Sequence, residues 1–367
     1  MYLKKLLQRY KETDIFFLQL TFTLAVIGLI FAFSSSTYTS YKLTNQFWQI
    51  GFKQFIAFII GLSLFALFWK FDYKKWYKLT LFVGTLALVL MFFTSISGIG
   101  KEIGGAKRWI DIGIFQFQPA ELAKFAVLLL FAKQFAKFKW NDKRGYLYLC
   151  FSLVLIFFIF KQPDLGSSMI LVLLYLLLML LFEWPIWLLF IITLITSFGC
   201  IHKIMNTPYQ TERLKYWLNP YLEPLGKGYN LIQAKYALGL GGLIGSGVGN
   251  SLQKQGSLPV PQSDFIIAII GEEIGFIGLT AVLILYFTWI LRGLYLVNKT
   301  KERYGKILGT AIILLISVQA VINILVAVGL MPITGVTLPF FSCGGTSLIV
   351  TFTMCGILFN ITEKSRF

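Results

Sequence analysis

Asp264 stands where the polar, proline-broken stretch LPVPQSDF runs into a membrane-length apolar segment that continues IIAIIGEEIGFIG. A carboxylate at such a junction faces water while standing beside the acyl region of a bilayer. It is therefore the first candidate for chemistry on a lipid-linked substrate, as acceptor of a proton during that chemistry. Glu121 and Lys124, in QPAELAKFA, are three residues apart and share a helix face. Either they neutralise one another, or both enter a substrate cavity where Lys124 meets an anionic group. Asp164, in KQPDLGSS, follows Pro163 and reads either as a helix N-cap or as a cavity acid. Arg108 with Trp109, and Arg213 and Lys215 with Trp217, are placed either to bind phosphates or to rest against headgroups. Glu272 and Glu273 lie roughly 12 Å further along the segment that Asp264 opens, at 1.5 Å per helical residue. At least one of them is expected to serve as an internal structural partner.

These residues need a scaffold, and composition dictates its class. With 57% hydrophobic and 13% charged residues, and a mean hydropathy of +0.75, the 367 residues cannot hide in one soluble core, so the chain is an integral membrane protein. The net charge of +17 does not point to nucleic acid, because the basic residues lie in short segments between apolar runs, as topology-setting charge does. The four cysteines and His202 show no zinc, haem or CxxC spacing, and a disulfide framework is not expected. The glycines of GLGGLIGSGVG do not fit GxGxxG and follow no predicted strand, so a dinucleotide loop is rejected in favour of flexible packing.

Apolar runs long enough to cross roughly 30 Å of hydrocarbon recur at about 15–33, 47–69, 79–95, 118–137, 146–160, 166–182, 186–201, 264–291, 306–330 and 340–360. The expected fold is an all-α polytopic bundle of ten transmembrane helices. The first run lacks a convincing cleavage site and reads as a retained helix. Lys4, Lys5, Arg9 and Lys11, then Lys70–Lys78, Lys133–Arg144, Arg292–Lys306, and Lys364 with Arg366 all fall on one side if both termini are cytoplasmic. The long stretch 202–263 then becomes an extracytoplasmic cap between the seventh and eighth helices. Within it Tyr229 to Leu238 has the spacing of a short interfacial helix.

Five motifs occur in order: GGAKRWIDIGIFQFQPAELAK, KQPDLGSS, WLNPYLEPLGKGYNLIQAKYALGLGGLIGSGVGN, QSDFIIAIIGEEIGFIG and GLMPITGVTLPFFSCGGTS. In sequence and arrangement they resemble the SEDS family of peptidoglycan glycosyltransferases, the RodA/FtsW proteins. GIGKEIGGAKRW, GVGNSLQK and GVTLPF lean towards the division-associated FtsW branch, whereas FQFQP and MPITG lean towards RodA; the FtsW branch is favoured. The resemblance implies a multi-pass protein of the bacterial cytoplasmic (inner) membrane that takes lipid II and undecaprenyl-linked glycan as substrates. It places the catalytic aspartate at Asp264 and cavity positions at Glu121, Lys124 and Asp164. Lys124, Arg108, Arg213 or Lys215 would steady the pyrophosphate leaving group, with a divalent cation, Mg or Mn. A class B penicillin-binding transpeptidase is the implied partner. This chain departs from the family's usual LPExHTDF with LPVPQSDF, and from FSYGGSS with FSCGGTS. A lipid II flippase and a non-catalytic scaffold are the alternatives.

Overall fold

The computed structural model describes residues 14–94, 96, 100–103, 106–111, 113, 116–139, 142–162 and 164–364. Lys4, Lys5, Arg9, Lys11, Pro163 and Arg366 lie outside the described residues. Each of the ten apolar runs falls on a helix: α1 (Ile15–Thr44), α2 (Gln49–Lys70), α3 (Tyr73–Thr94), α4 (Pro119–Lys137), α5 (Lys143–Lys161), α6 (Leu165–Leu181), α7 (Ile186–Asn206), α10 (Ile266–Asn298), α11 (Arg303–Ala327) and α12 (Gly345–Lys364). Among the described residues eight of these are long and apolar enough to cross a membrane; α4, which carries several charges, and the shorter α6 are the other two. Between α7 and α10 stand α8 (Pro208–Leu218) and α9 (Tyr229–Leu240).

Two expectations about secondary structure are corrected. The protein is not all-α: Gly100–Ile103 (β1), Ala106–Asp111 (β2) and Gln116–Phe117 (β3) form an antiparallel sheet in the order β1-β2-β3. A connection of this length between α3 and α4 must satisfy its own backbone, and pairing as a meander does so. Helix α1 also continues beyond the apolar run to Thr44, because Ser35, Ser36 and Ser40 are buried against protein and hydrogen-bond to backbone carbonyls.

The core is held by aromatic stacking at the centre of the bundle. The ring of Phe17 in α1 lies 5.4 Å from Trp289 of α10 and 5.0 Å from Phe359 of α12, and Trp289 donates its indole N–H to Thr21 at 2.9 Å. One turn away Asp14 caps α1 and binds Arg292 of α10 at 2.6 Å.

The glycine segment is not a flexible packing element. Helix α10 breaks at Gly275 (φ 67°, ψ −173°), and the glycine loop fills the break by backbone pairing. Ser246 and Gly247 donate to the carbonyls of Glu272 and Glu273 at 3.0 and 2.9 Å, while Phe276 and Ile277 donate to Gly242 and Leu243 at 2.9 and 3.1 Å. The two backbones come so near that a Cβ on Gly275 would sit 2.4 Å from the nitrogen of Gly245. Only glycine tolerates both that approach and that dihedral pair. Gly275→Ala is expected to cost on the order of 1–3 kcal/mol from the backbone alone, whereas Gly239→Ala in α9, where a Cβ meets nothing within 4 Å, gains about 0.5–1 kcal/mol. Thermal unfolding of the two variants in detergent, one midpoint down and the other up, checks the difference.

Candidate active site

The stretch that carries Asp264 has no regular structure of its own and is fixed from outside. Cys343 N–H donates to Gln262 O at 2.7 Å, the Ser342 hydroxyl to Ser263 O at 2.6 Å, and Asn323 Nδ2 to Asp264 O at 3.2 Å. Asn323 also donates to Val336 O at 2.8 Å, so α11 and the loop before α12 hold three consecutive carbonyls. Gln262 and Ser263, which replace the usual His-Thr, are used locally: Thr39 of α1 donates to Gln262 Oε1 at 3.2 Å, and Ser263 hydrogen-bonds the Asp264 carboxylate. Val260, in the position where a glutamate is usual, adopts φ 48°.

Held in this way, Asp264 lines a cavity of about 310 Å³. The facing wall is α8. Tyr209, Glu212, Arg213, Tyr216 and Trp217 recur at helical spacing and all face the cavity. Arg213 is braced against the Tyr209 ring, 4.4 Å from its guanidinium carbon, and donates to Ile333 O at 3.1 Å. Trp217 donates to Gly329 O at 3.0 Å. Lys227, which the sequence reading missed, closes the rim in an ion pair with Glu212. Lys215 is not among the residues lining the cavity: two residues from Arg213 is about 200° around a helix, and its side chain is exposed, with its ammonium 5.6 Å from the Tyr216 ring.

The remaining candidates divide. Arg108 of β2 and Asp164 both lie within electrostatic range of Asp264, and Lys203 of α7 senses both of them. Asp164 is also a helix N-cap, accepting from Ser167 N–H at 3.0 Å. Glu121 and Lys124 are buried and bind one another at 2.7 Å, and neither lines the Asp264 cavity. Glu272 and Glu273 are internal partners. Glu272 accepts from the Ser251 hydroxyl at 2.5 Å and from Leu252 N–H at 2.7 Å, and Glu273 binds Lys254 at 2.8 Å and Ser34 at 2.6 Å. Trp109 lines a separate cavity with Lys53, Gln54 and Asp111.

Residues 14–367 match the model of a family of cell cycle proteins that takes in FtsW, RodA and SpoVE. This chain belongs to the FtsW/RodA/SpoVE family. It is 35% identical over 363 residues to Stage V sporulation protein E of Bacillus subtilis, spanning 96% of this chain and 98% of that protein. It is 31% identical over 361 residues to the probable peptidoglycan glycosyltransferase FtsW of Trichlorobacter lovleyi, spanning 96% and 94%. Its fold superposes with a TM-score of 0.79 and 25% identity on a chain of a peptidoglycan synthase complex that coordinates polymerization and crosslinking, covering 96% and 98%. With Thermus thermophilus Rod shape determining protein RodA, in an aspartate-to-alanine mutant, the TM-score is 0.71 at 23% identity.

Among the described residues of this FtsW/RodA/SpoVE chain no three His, Cys, Asp or Glu side chains converge on a point where a metal would sit. Arg213, Lys227 and Arg108 stand around Asp264 together with Glu212 and Asp164, and these carboxylates, interleaved with cations and not gathered at one point, do not fit a protein-built cage for Mg or Mn. Cys343 is no nucleophile: burial pushes its thiol up to about 12. Removal from water raises the Asp264 carboxyl above the usual carboxylate range, against the lowering effects of the Ser263 hydrogen bond and the Arg213 charge. A raised folded-state value means that Asp264 favours folding below the ordinary carboxylate value near 3.8 and that this contribution is lost as pH rises through the folded value. Asp264→Asn is therefore expected to melt at a higher temperature than the parent at pH 7, with the gap closing below about pH 4; thermal melts across that range check the sign.

Proposed function

We propose that this chain polymerises peptidoglycan, joining lipid II disaccharides into glycan strands with release of undecaprenyl pyrophosphate. One observation carries the reading: a carboxyl with a raised proton affinity and an arginine line the same 310 Å³ cavity, and an apolar groove is lined by a residue only two positions along the chain from one that lines that cavity. The groove, about 670 Å³ between α5, α6, α7 and α11, is lined by residues such as Phe157, Phe160, Met169, Leu173 and Leu325. Met331 lines the groove and Ile333 the cavity. A substrate with a polyprenyl tail and a charged sugar-phosphate head matches this pairing of surfaces.

In the proposed reaction the 4-hydroxyl of the acceptor N-acetylglucosamine attacks the muramyl C1 of the chain carried on undecaprenyl pyrophosphate. Asp264 takes the hydroxyl proton as the O4–C1 bond forms. The bond from C1 to the pyrophosphate oxygen breaks, the electron pair leaves with the pyrophosphate, and the α linkage becomes β by inversion. Arg213, with Lys227 at the rim and Arg108 nearby, faces the charge that grows on the leaving group. A raised proton affinity suits Asp264 to this role, since a base works best when its pKa lies nearer the working pH. No step is routed through a divalent cation, for which the described residues around Asp264 build no cage.

The same reading gives α4 and α6 as membrane crossings, for ten in all, with both termini cytoplasmic and 202–263 as the outer cap over one transmembrane unit. It places the protein in the bacterial cytoplasmic membrane, in septal growth at division or sporulation, beside a class B penicillin-binding transpeptidase. The flippase alternative needs intramembrane charges along a path. Instead Glu121 is spent on Lys124, Glu273 on Lys254, and Glu272 on backbone N–H groups. Purified chain supplied with lipid II is expected to yield glycan without other enzymes, and Asp264→Asn to lose about 100- to 10,000-fold of that rate. Arg213→Gln should lower the rate and move its acid limb to higher pH, because the lowering charge on Asp264 is gone. Near-normal polymerisation by Asp264→Asn, read as glycan on a gel, would remove the aspartate from the mechanism.

A further inference from the structure

Helix α11 carries Asn323 beside Asp264 at one end and Arg303 at the other, and at that other end a second polar pocket opens. Its volume is about 430 Å³, and it lies between α3, α4 and α11. Lys74 and Lys78 enter it one turn apart on α3, Lys137 from the end of α4 and Arg303 from the start of α11. Tyr77 and Tyr304 form a wall, ring edge to ring face, with centroids 5.3 Å apart. One carboxylate lines the pocket, that of Glu302, and both its oxygens are already engaged: Tyr304 N–H donates at 3.1 Å and Gly305 N–H at 2.7 Å. Among the described residues none of the four cations is ion-paired. Behind the wall Lys133, only 7% exposed, holds its ammonium 4.5 Å from the Tyr77 centroid and 5.1 Å from that of Tyr148. It too has no carboxylate partner among the described residues, so a fifth positive charge backs the pocket.

Basic residues that only set topology need no common volume. These come from three helices, enclose a void and keep their counter-charge occupied elsewhere, which is the electrostatic form of an anion site. The rim says what kind of anion. On α3 the residues just beyond Lys78 are exposed and apolar, Leu79 at 36%, Leu81 at 40% and Phe82 at 64%. A ligand with phosphate in the pocket and hydrocarbon along α3 satisfies both surfaces. We propose that this pocket binds the phosphate of an anionic phospholipid headgroup, from the leaflet where the chain's basic loops gather. The proposal is independent of the polymerase reading.

The test uses purified full-length chain in vesicles of phosphatidylglycerol and phosphatidylcholine, extracted in mild detergent, with the retained lipid measured by mass spectrometry. The parent is expected to enrich phosphatidylglycerol, and Lys78→Gln and Lys137→Gln each to lower that enrichment about fivefold. Lys299→Gln, an exposed lysine outside the pocket, should retain it. Should a glutamine variant unfold, Lys78→Arg and Lys137→Arg serve in its place, and both should retain the lipid. Equal retention by parent and folded glutamine variants overturns the proposal, as does loss of retention in both arginine variants. An equal loss in Lys299→Gln reduces the effect to general surface charge and overturns it as well. If inorganic pyrophosphate displaces the lipid from the parent, the ligand is a soluble phosphate and the headgroup assignment fails.

Discussion

Three backbone carbonyls in a row, those of Gln262, Ser263 and Asp264, are each held by a donor from elsewhere in the chain. The site depends on this. A loop of irregular backbone has no internal ladder to fix it, and its position is set by whatever satisfies its polar groups. Here the donors come from α11 and from the turn that precedes α12, both anchored in the bundle core. Because these three contacts run to main chain, they fix the backbone of the aspartate whichever side chains stand at 262 and 263, while Gln262 and Ser263 add contacts of their own to Thr39 and to the carboxylate.

A second constraint holds the stretch from Gly241 to Lys254. Two adjacent glutamates at the break in α10 face different partners, one binding a turn of backbone N–H groups, the other a buried lysine and a serine of α1. Removing either side of such a buried arrangement would leave an uncompensated polar group, and that asymmetry makes it a fixed joint. The glycine loop docks alongside α10 through main-chain contact, where side chains would hold the two backbones apart.

Much of this was legible in the residues. Unbroken apolar runs locate helices well, since lipid leaves backbone no other arrangement, and every run fell on one. The pairing of Glu121 with Lys124 and the capping role of Asp164 were each one of the two readings that their spacing offered, and the structure shows both contacts. The sheet at β1 to β3 was missed because a polar stretch with glycines reads as loop. The face of α8 was present in the sequence as the 209, 212, 213, 216, 217 periodicity, and following it would have selected Arg213 and discarded Lys215. Lys227 had no such signal: its place comes from a pairing with Glu212 across a turn. Nor could sequence decide between the helix terminus, which lowers the proton affinity of Asp264, and enclosure, which raises it. Enclosure is set by α8, whose approach only the fold reveals.

The break at Gly275 also divides α10 by its surroundings. Residues from Ile266 to Glu273 are packed in protein, whereas Phe276 and Ile277 are open on the outer surface. The stretch from Phe276 to Asn298 is by itself long enough for a bilayer crossing of about 20 residues. During synthesis the insertion machinery can therefore commit that stretch to the membrane without carrying Glu272 and Glu273 through hydrocarbon. The short N-terminal half, with the aspartate at its head, is free to dock afterwards, when the glycine loop arrives to receive it.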